Sequence, residues 1–332
     1  MAGETPHSAM GNQITALVQA VSGRNYISVH TNVGENGQCM LYLAKGAPLK
    51  GVNGRAFEAS SVETRAIIRL AKTAGKTYGV GAVILTHGEC DSGNMNYEND
   101  LFRLWSDYNT DLKAITGQTQ NILMIVSQQN SQGDNSFSTI AAWKAGINHP
   151  ADIVCSGPKY QYPYANDNVH MITDSYRQLG EKYGQIYFER VVLRKNWQPL
   201  QPTSAQKSGR VITVQFHVPV PPLTWDNSFQ APCQNIQEWK SGKGFEVRLP
   251  DNNRMIISSV AICGNSVQIT CADDLPASGA SVAYAMTSCG SALKIPFNGT
   301  FRWGQLCDSD PFTGTITGKT QPNYCVAFEM PV

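Results

Sequence analysis

The stretch Asp167-Asn168-Val169-His170 carries the residue types and spacing that most directly suggest chemistry in this chain. An Asp three residues ahead of a His lets the carboxylate fold back on the imidazole and hold one tautomer. It also stabilises the imidazolium that forms when the other nitrogen takes a proton. The same residues also make an ordinary loop, a hydrogen-bonded His beside a turn-forming Asp. The surroundings bear on the choice. An apolar run, Asp152-Ile153-Val154-Cys155, precedes the pair, and the helical spacing of Tyr176, Leu179, Tyr183, Ile186 and Tyr187 follows it. The pair therefore falls on a strand-to-helix loop, where the open end of an α/β sheet keeps its chemistry.

Two other loops have polar or glycine-rich character at the ends of apolar runs. After Tyr26 to His30 comes Asn32-Val33-Gly34-Glu35-Asn36-Gly37. Its glycines, three apart, let the backbone turn sharply and aim N–H groups at an anion, with a helix expected from about Gln38. After Gly81 to Leu85 comes Thr86-His87-Gly88-Glu89-Cys90-Asp91. Polar residues at the end of a buried strand cost stability unless satisfied or used. His87 could donate to a developing oxyanion, and Glu89 or Asp91 could order the site. Each loop is also compatible with a plain turn and helix cap.

These loops need elements to hold them. Helical patterns (14–21, 62–74, 97–115, 139–145) alternate with short apolar strands (26–30, 81–85, 122–126, 152–155), which predicts a parallel sheet with helices on both faces. Near residue 200 the character changes. The segment 198–203, Gln-Pro-Leu-Gln-Pro-Thr, reads as a linker, and strands with period two follow at 210–218, 245–249, 255–262, 266–271 and 281–286. That pattern predicts an antiparallel sandwich.

With 332 residues the chain can build two sizeable cores. At 15% charged residues and a formal net charge of +1, nothing suggests a nucleic-acid footprint or a polybasic membrane patch. No apolar run reaches the length of a membrane span, and the first residues do not read as a signal peptide, so a soluble protein is expected, secreted or virion-associated among the possibilities. Nine cysteines without a Cys-x-x-Cys pair argue against a zinc site and leave the disulfide state open, with one or two bridges conceivable beyond residue 230.

Taken together, Asn32-x-Gly34-x-x-Gly37, then Gly88-Glu89-Cys90-Asp91, then Asp167-x-x-His170 resemble the second, third and last sequence blocks of the SGNH (GDSL-type) hydrolases. The His-Gly-Glu-x-Asp form of the third block is similar to sialate O-acetylesterases and related carbohydrate esterases of bacteria and phage tails. The 303–311 and 322–325 segments look like the β-domain that closes some of these enzymes. The resemblance implies a flavodoxin-like three-layer α/β/α domain over 1–197 and an antiparallel β-sandwich accessory domain over 198–332. It implies His170 as general base, Asp167 as its orienting acid, Gly37 and His87 as oxyanion-hole donors, and Asn32, Gly34, Gly88, Glu89, Cys90 and Asp91 as supporting residues. Cys90 departs from the asparagine of the wider family. The chemistry implied is two-step acyl transfer from an acetylated glycan, without metal or organic cofactor.

The nucleophile is the largest departure. The family places a serine after its first strand, and this sequence has no such strand ahead of its first helix. Ser8 has only seven residues before it, too few for a buried strand of typical length. In the order 2-1-3-4-5 the absent strand lies between 26–30 and 81–85. At about 4.8 Å between neighbours, its absence leaves a gap of about 9.6 Å lined by unpaired backbone. The expectation is that strand and serine come from an upstream segment, as a separate or cleaved chain. Two other classes are a catalytically silent glycan-binding protein on an esterase scaffold and a phage-tail attachment protein. Tyr160, Tyr162, Tyr164 and Trp105 could stack on a sugar or pack in the core.

Overall fold

The computed structural model describes residues 5–47, 56–130, 137–167, 169–228, 241–251, 253–287 and 302–332. Its first half is an α/β unit. Strands β1 (Ala82–Leu85), β2 (Leu123–Val126) and β3 (Ile153–Cys155) pair in parallel in the order β1-β2-β3. The helices are α1 (His7–Ser22), α2 (Met40–Leu43), α3 (Ala56–Thr73), α4 (Tyr97–Thr116), α5 (Phe137–Asn148) and α6 (Thr173–Tyr187), the last continuing as a π-helical turn, Phe188–Val192.

Strand side chains alternate between two cores, as the period of two requires. Leu123, Ile125 and Val154 join Met10, Ile14 and Val18 of α1 and Leu179, Tyr183 and Ile186 of α6. Met124, Val126, Ile153 and Cys155 join Leu101, Leu104 and Trp105 of α4 and Ala142 and Ala145 of α5. The sheet is thus sandwiched between helical layers. Helices α1 and α6 run side by side because Gly180 and Gly184 leave no room for a side chain: a Cβ at Gly180 would lie 2.0 Å from the Pro6 carbonyl oxygen, and one at Gly184 2.8 Å from Gln13.

The second half is β-rich. A four-stranded antiparallel sheet has the order β4 (Gln201–Ser208), β5 (Val211–His217), β9 (Ser266–Cys271), β8 (Ile257–Cys263). A three-stranded one has the order β12 (Phe328–Pro331), β10 (Ser281–Tyr284), β7 (Phe245–Arg248), and β6 (Thr224–Trp225) pairs with β11 (Leu306–Cys307). Val214, Phe245, Tyr284 and Phe328 from this half share one continuous core with α4, α5 and β2.

Two expectations change, and a third is met by the structure only in part. Residues 26–30 form no strand, since an extended segment without a ladder partner has nothing to satisfy its backbone. Residues 201–203 of the expected linker begin β4, with Gln201 and Pro202 buried. Of the cysteines beyond residue 230, Cys263, Cys271, Cys307 and Cys325 are free thiols, while Cys233 and Cys289 lie outside the described residues. No helix among the described residues is long and apolar enough to cross a membrane.

The C-terminal stretch 302–332 returns to the α/β half and straps it. Glu181 of α6, fully buried, accepts from the Ile316 and Thr317 N–H groups, the Thr317 hydroxyl and the Gln321 amide at 2.6–2.8 Å. Lys182 donates to Gln185, the Gln321 carbonyl and Asn323. Burial lowers the Lys182 ammonium to about 8, against the opposing pull of Asp310 and Asp308. Gln128, after β2, matches its amide to both backbone groups of Ala327 at 2.8 Å.

Candidate functional site

Asp167 and His170 sit in the loop between β3 and α6, closed at its base by a bridge between Tyr164 and Met171 and by the Ala165 N–H donating to the His170 carbonyl at 2.7 Å. Asp167 Oδ1 accepts from the N–H groups of Val169 and His170, each at 2.9 Å, and its Oδ2 lies 2.7 Å from His170 Nδ1. Desolvation would raise the carboxyl, but the bonds from the His170 backbone and ring and from Val169 outweigh it and hold Asp167 at about 2. An ionised carboxylate accepts, so Nδ1 carries a proton, and in the neutral ring the lone pair is on Nε2. The two side chains are 54% and 51% exposed, and Nε2 makes no hydrogen bond among the described residues.

The loop after β1 is bound on both flanks. A disulfide joins Cys90 to Cys39, with Cα atoms 5.1 Å apart, and so ties this loop to the Asn32–Gly37 turn. Asp91 Oδ2 accepts from the Met40 N–H at 2.6 Å, capping α2. On the other flank Glu89 meets the buried Lys159 ammonium at 2.7 Å, in the loop that leads from β3 toward His170. Desolvation would raise Glu89, but Lys159 draws it below the ordinary carboxylate range. Gly88 holds φ +125°, and a Cβ there would press to 3.1 Å on Gln129, so only glycine fits without strain. Ser138 donates to the Gly88 carbonyl at 2.8 Å. The three loops are thus linked in series by one disulfide and one ion pair.

Gly37 sits at φ +66° in the turn before α2, exposed, and the Asn32 side chain accepts from the Gly34 N–H at 3.4 Å. No hydrogen bond joins this turn to His170 among the described residues. His87 differs from expectation. Its Nε2–H donates to the Gln38 carbonyl at 2.9 Å, so Nδ1 accepts from the Tyr97 hydroxyl at 2.7 Å. A neutral imidazole has one N–H, which leaves His87 no donor for an oxyanion; it fixes the approach to α2 instead.

Ser8 lies away from His170. It is the second residue of α1, whose preceding Pro6 packs on Gly180, two turns into α6 from Thr173, while His170 lies ahead of that helix. The cavity of about 400 Å³ beside Ser8 is lined by His7, Gly11, Tyr26 and His30 and does not reach His170. Tyr160, Tyr162, Tyr164 and Trp105 are buried and cannot stack on a sugar; Tyr160 donates to the Cys325 carbonyl at 2.7 Å and meets Tyr324 edge-on. Lys159 and the Cys39–Cys90 bridge carry no sequence signal, being an isolated lysine and two cysteines 51 residues apart.

A second cavity, of about 870 Å³, runs along the outer edge of β1 and opens beside Thr86, His87 and the 32–35 turn.

No family model matches this sequence, and no curated protein does. Among solved structures, the chain is similar to a carbohydrate acetylesterase from Xanthomonas citri, with a TM-score of 0.60 at 13% identity, covering 97% of this chain and 64% of that one. A protein from Arabidopsis thaliana is similar over 56% of this chain and 69% of its own, with a TM-score of 0.43 at 19% identity. The chain therefore spans somewhat under two thirds of the Xanthomonas citri esterase, and what the two share is a fold: an α/β unit joined to a β-rich one, as in a carbohydrate esterase.

Proposed function

We propose that this chain carries the acid–base half of a serine-type carboxylic ester hydrolase of SGNH type, an O-acetylesterase acting on a glycan. The observation that carries this reading is the 2.7 Å bond that Asp167 Oδ2 accepts from His170 Nδ1, which leaves Nε2 open to take a hydroxyl proton. Asp167 orients the ring and steadies the imidazolium, and the Gly37 N–H supplies an oxyanion donor. The acetyl group and the glycan carrier follow the fold shared with a carbohydrate acetylesterase and remain a proposal for this chain. The nucleophilic serine comes from a segment other than the described residues and attacks the ester carbonyl. The acyl-enzyme then yields to water activated by the same His170. The Cys39–Cys90 bridge supports an oxidising compartment outside the cytosol.

Hydrolysis of p-nitrophenyl acetate tests this. Turnover is expected when the upstream segment is supplied, and it is expected to disappear in His170→Ala. Absence of His170-dependent turnover in both states would leave the second reading, a glycan-binding protein on an esterase scaffold. A glycan array would then separate recognition from a purely structural role.

A further inference from the structure

We infer that the cavity along β1 is a docking groove for one extended, apolar β-strand running parallel to β1. Among the described residues, strand β1 is hydrogen-bonded to β2 alone. With Ala82 opposite Leu123 and the Leu123 N–H donating to the Gly81 carbonyl, the N–H groups of Val83 and Leu85 face β2. Those of Ala82 and Ile84, with their carbonyls, face the other way, into the groove, and have no partner among the described residues. A parallel strand flanked by helices is ordinarily buried, as β2 and β3 are here, yet all four residues of β1 are only half-buried.

The walls match a strand. Ile14 of α1 and Tyr187 of α6 line the groove, Ile67 of α3 and Leu112 of α4 line it as well, and the 26–30 segment borders it. That segment alternates as a strand does and has no ladder partner among the described residues; Ile27 and Val29 are exposed. A strand docked about 4.8 Å from β1 would satisfy the Ala82 and Ile84 groups. About five residues, roughly 17 Å long, span the groove and emerge beside Thr86 and His87. Main chain of β geometry complements such an edge, and apolar side chains suit walls that carry Ile14, Ile67, Leu70, Leu104 and Leu112. This rests on the sheet alone, but it deepens the proposed function by giving a serine-bearing segment its route to the loops.

The test is fluorescence anisotropy with labelled seven-residue peptides of Val, Ile and Ala flanked by lysines. Saturable binding is expected, weakened at least tenfold by N-methylation on the edge facing β1 and by Ala71→Trp, which fills the groove. Slowed amide exchange at Ala82 and Ile84 on binding locates the site. Absence of binding below millimolar concentration, or binding insensitive to N-methylation, overturns the proposal. So does a concentration-dependent dimer that competes with the peptide, which would assign the groove to a second copy. With the same peptide extended by a serine at its C-terminal end, binding without ester turnover upholds the groove and sinks the esterase, and turnover untouched by Ala71→Trp does the reverse.

Discussion

Replacing Asp167 by Asn separates the role of its charge from the role of its shape. The amide oxygen can keep both 2.9 Å bonds from the N–H groups of Val169 and His170, so the loop retains its form. The amide NH2 then takes the place of Oδ2, 2.7 Å from His170 Nδ1. Two donors cannot share that contact, so the ring proton moves to Nε2 and Nδ1 accepts. A charge-assisted bond is worth about 1.5–3 kcal/mol when buried. With side chains 54% and 51% exposed, about 1 kcal/mol is the appropriate figure, and the new amide-to-Nδ1 bond adds about 1 more. The swing of about 2 kcal/mol is roughly 30-fold in tautomer ratio. Ester turnover should fall at least as far, because Nε2 is no longer a base and the imidazolium loses its counter-charge. Nitrogen NMR of the His170 ring reads the tautomer directly, without any assumption about activity, and p-nitrophenyl acetate turnover reads the consequence. An unchanged tautomer would show that the carboxylate does not set the ring. A switched tautomer with turnover within threefold of the wild type would remove His170 from the mechanism.

Three further outcomes follow from the same geometry. Gly88→Ala forces a Cβ to 3.1 Å from Gln129 at φ +125°, and should lower stability by about 1–3 kcal/mol in urea unfolding. Lys182 holds its proton less tightly when folded, at about 8, than its ordinary 10.5 when unfolded. The unfolded chain therefore binds more protons from pH 8 upward, and stability should rise by about 2 kcal/mol between pH 8 and 9.5, a rise that Lys182→Met should abolish. Replacing Cys39 and Cys90 together by Ser reopens a 51-residue separation; about 2–4 kcal/mol of stability should be lost, and amide exchange should quicken at residues 32–40.

Much of this was legible in the sequence where a pattern is local. The 3.6-residue spacing of Leu179, Tyr183 and Ile186 located α6, and the apolar runs located β1, β2 and β3 to within a residue or two. The Asp167–His170 contact is likewise local, three residues apart on one loop. What escaped depends on partners distant in sequence. Residues 26–30 have the composition of a strand, but a strand is made by its neighbour. Pro199 and Pro202 signalled a linker, yet Pro202 is tolerated in β4 because that strand lies at the edge of its sheet. His87 looked available until Gln38, brought near by the Cys39–Cys90 bridge, took its N–H. Glu181 and Lys182, adjacent charges inside an apolar helix pattern, were a signal that could have been read: such a pair is buried only when something polar covers it.

That covering strap sets how the molecule comes apart. A chain cut at residue 197 would strip Glu181 of its four donors and Lys182 of two acceptors, and would open the hydrophobic core that Trp143 and Phe328 fill from opposite sides. The two halves should therefore melt in a single transition, and neither should be recoverable as an independently folded fragment. The β-rich half cannot be exchanged for another unit unless the last thirty residues or so are rebuilt to fit the same helix.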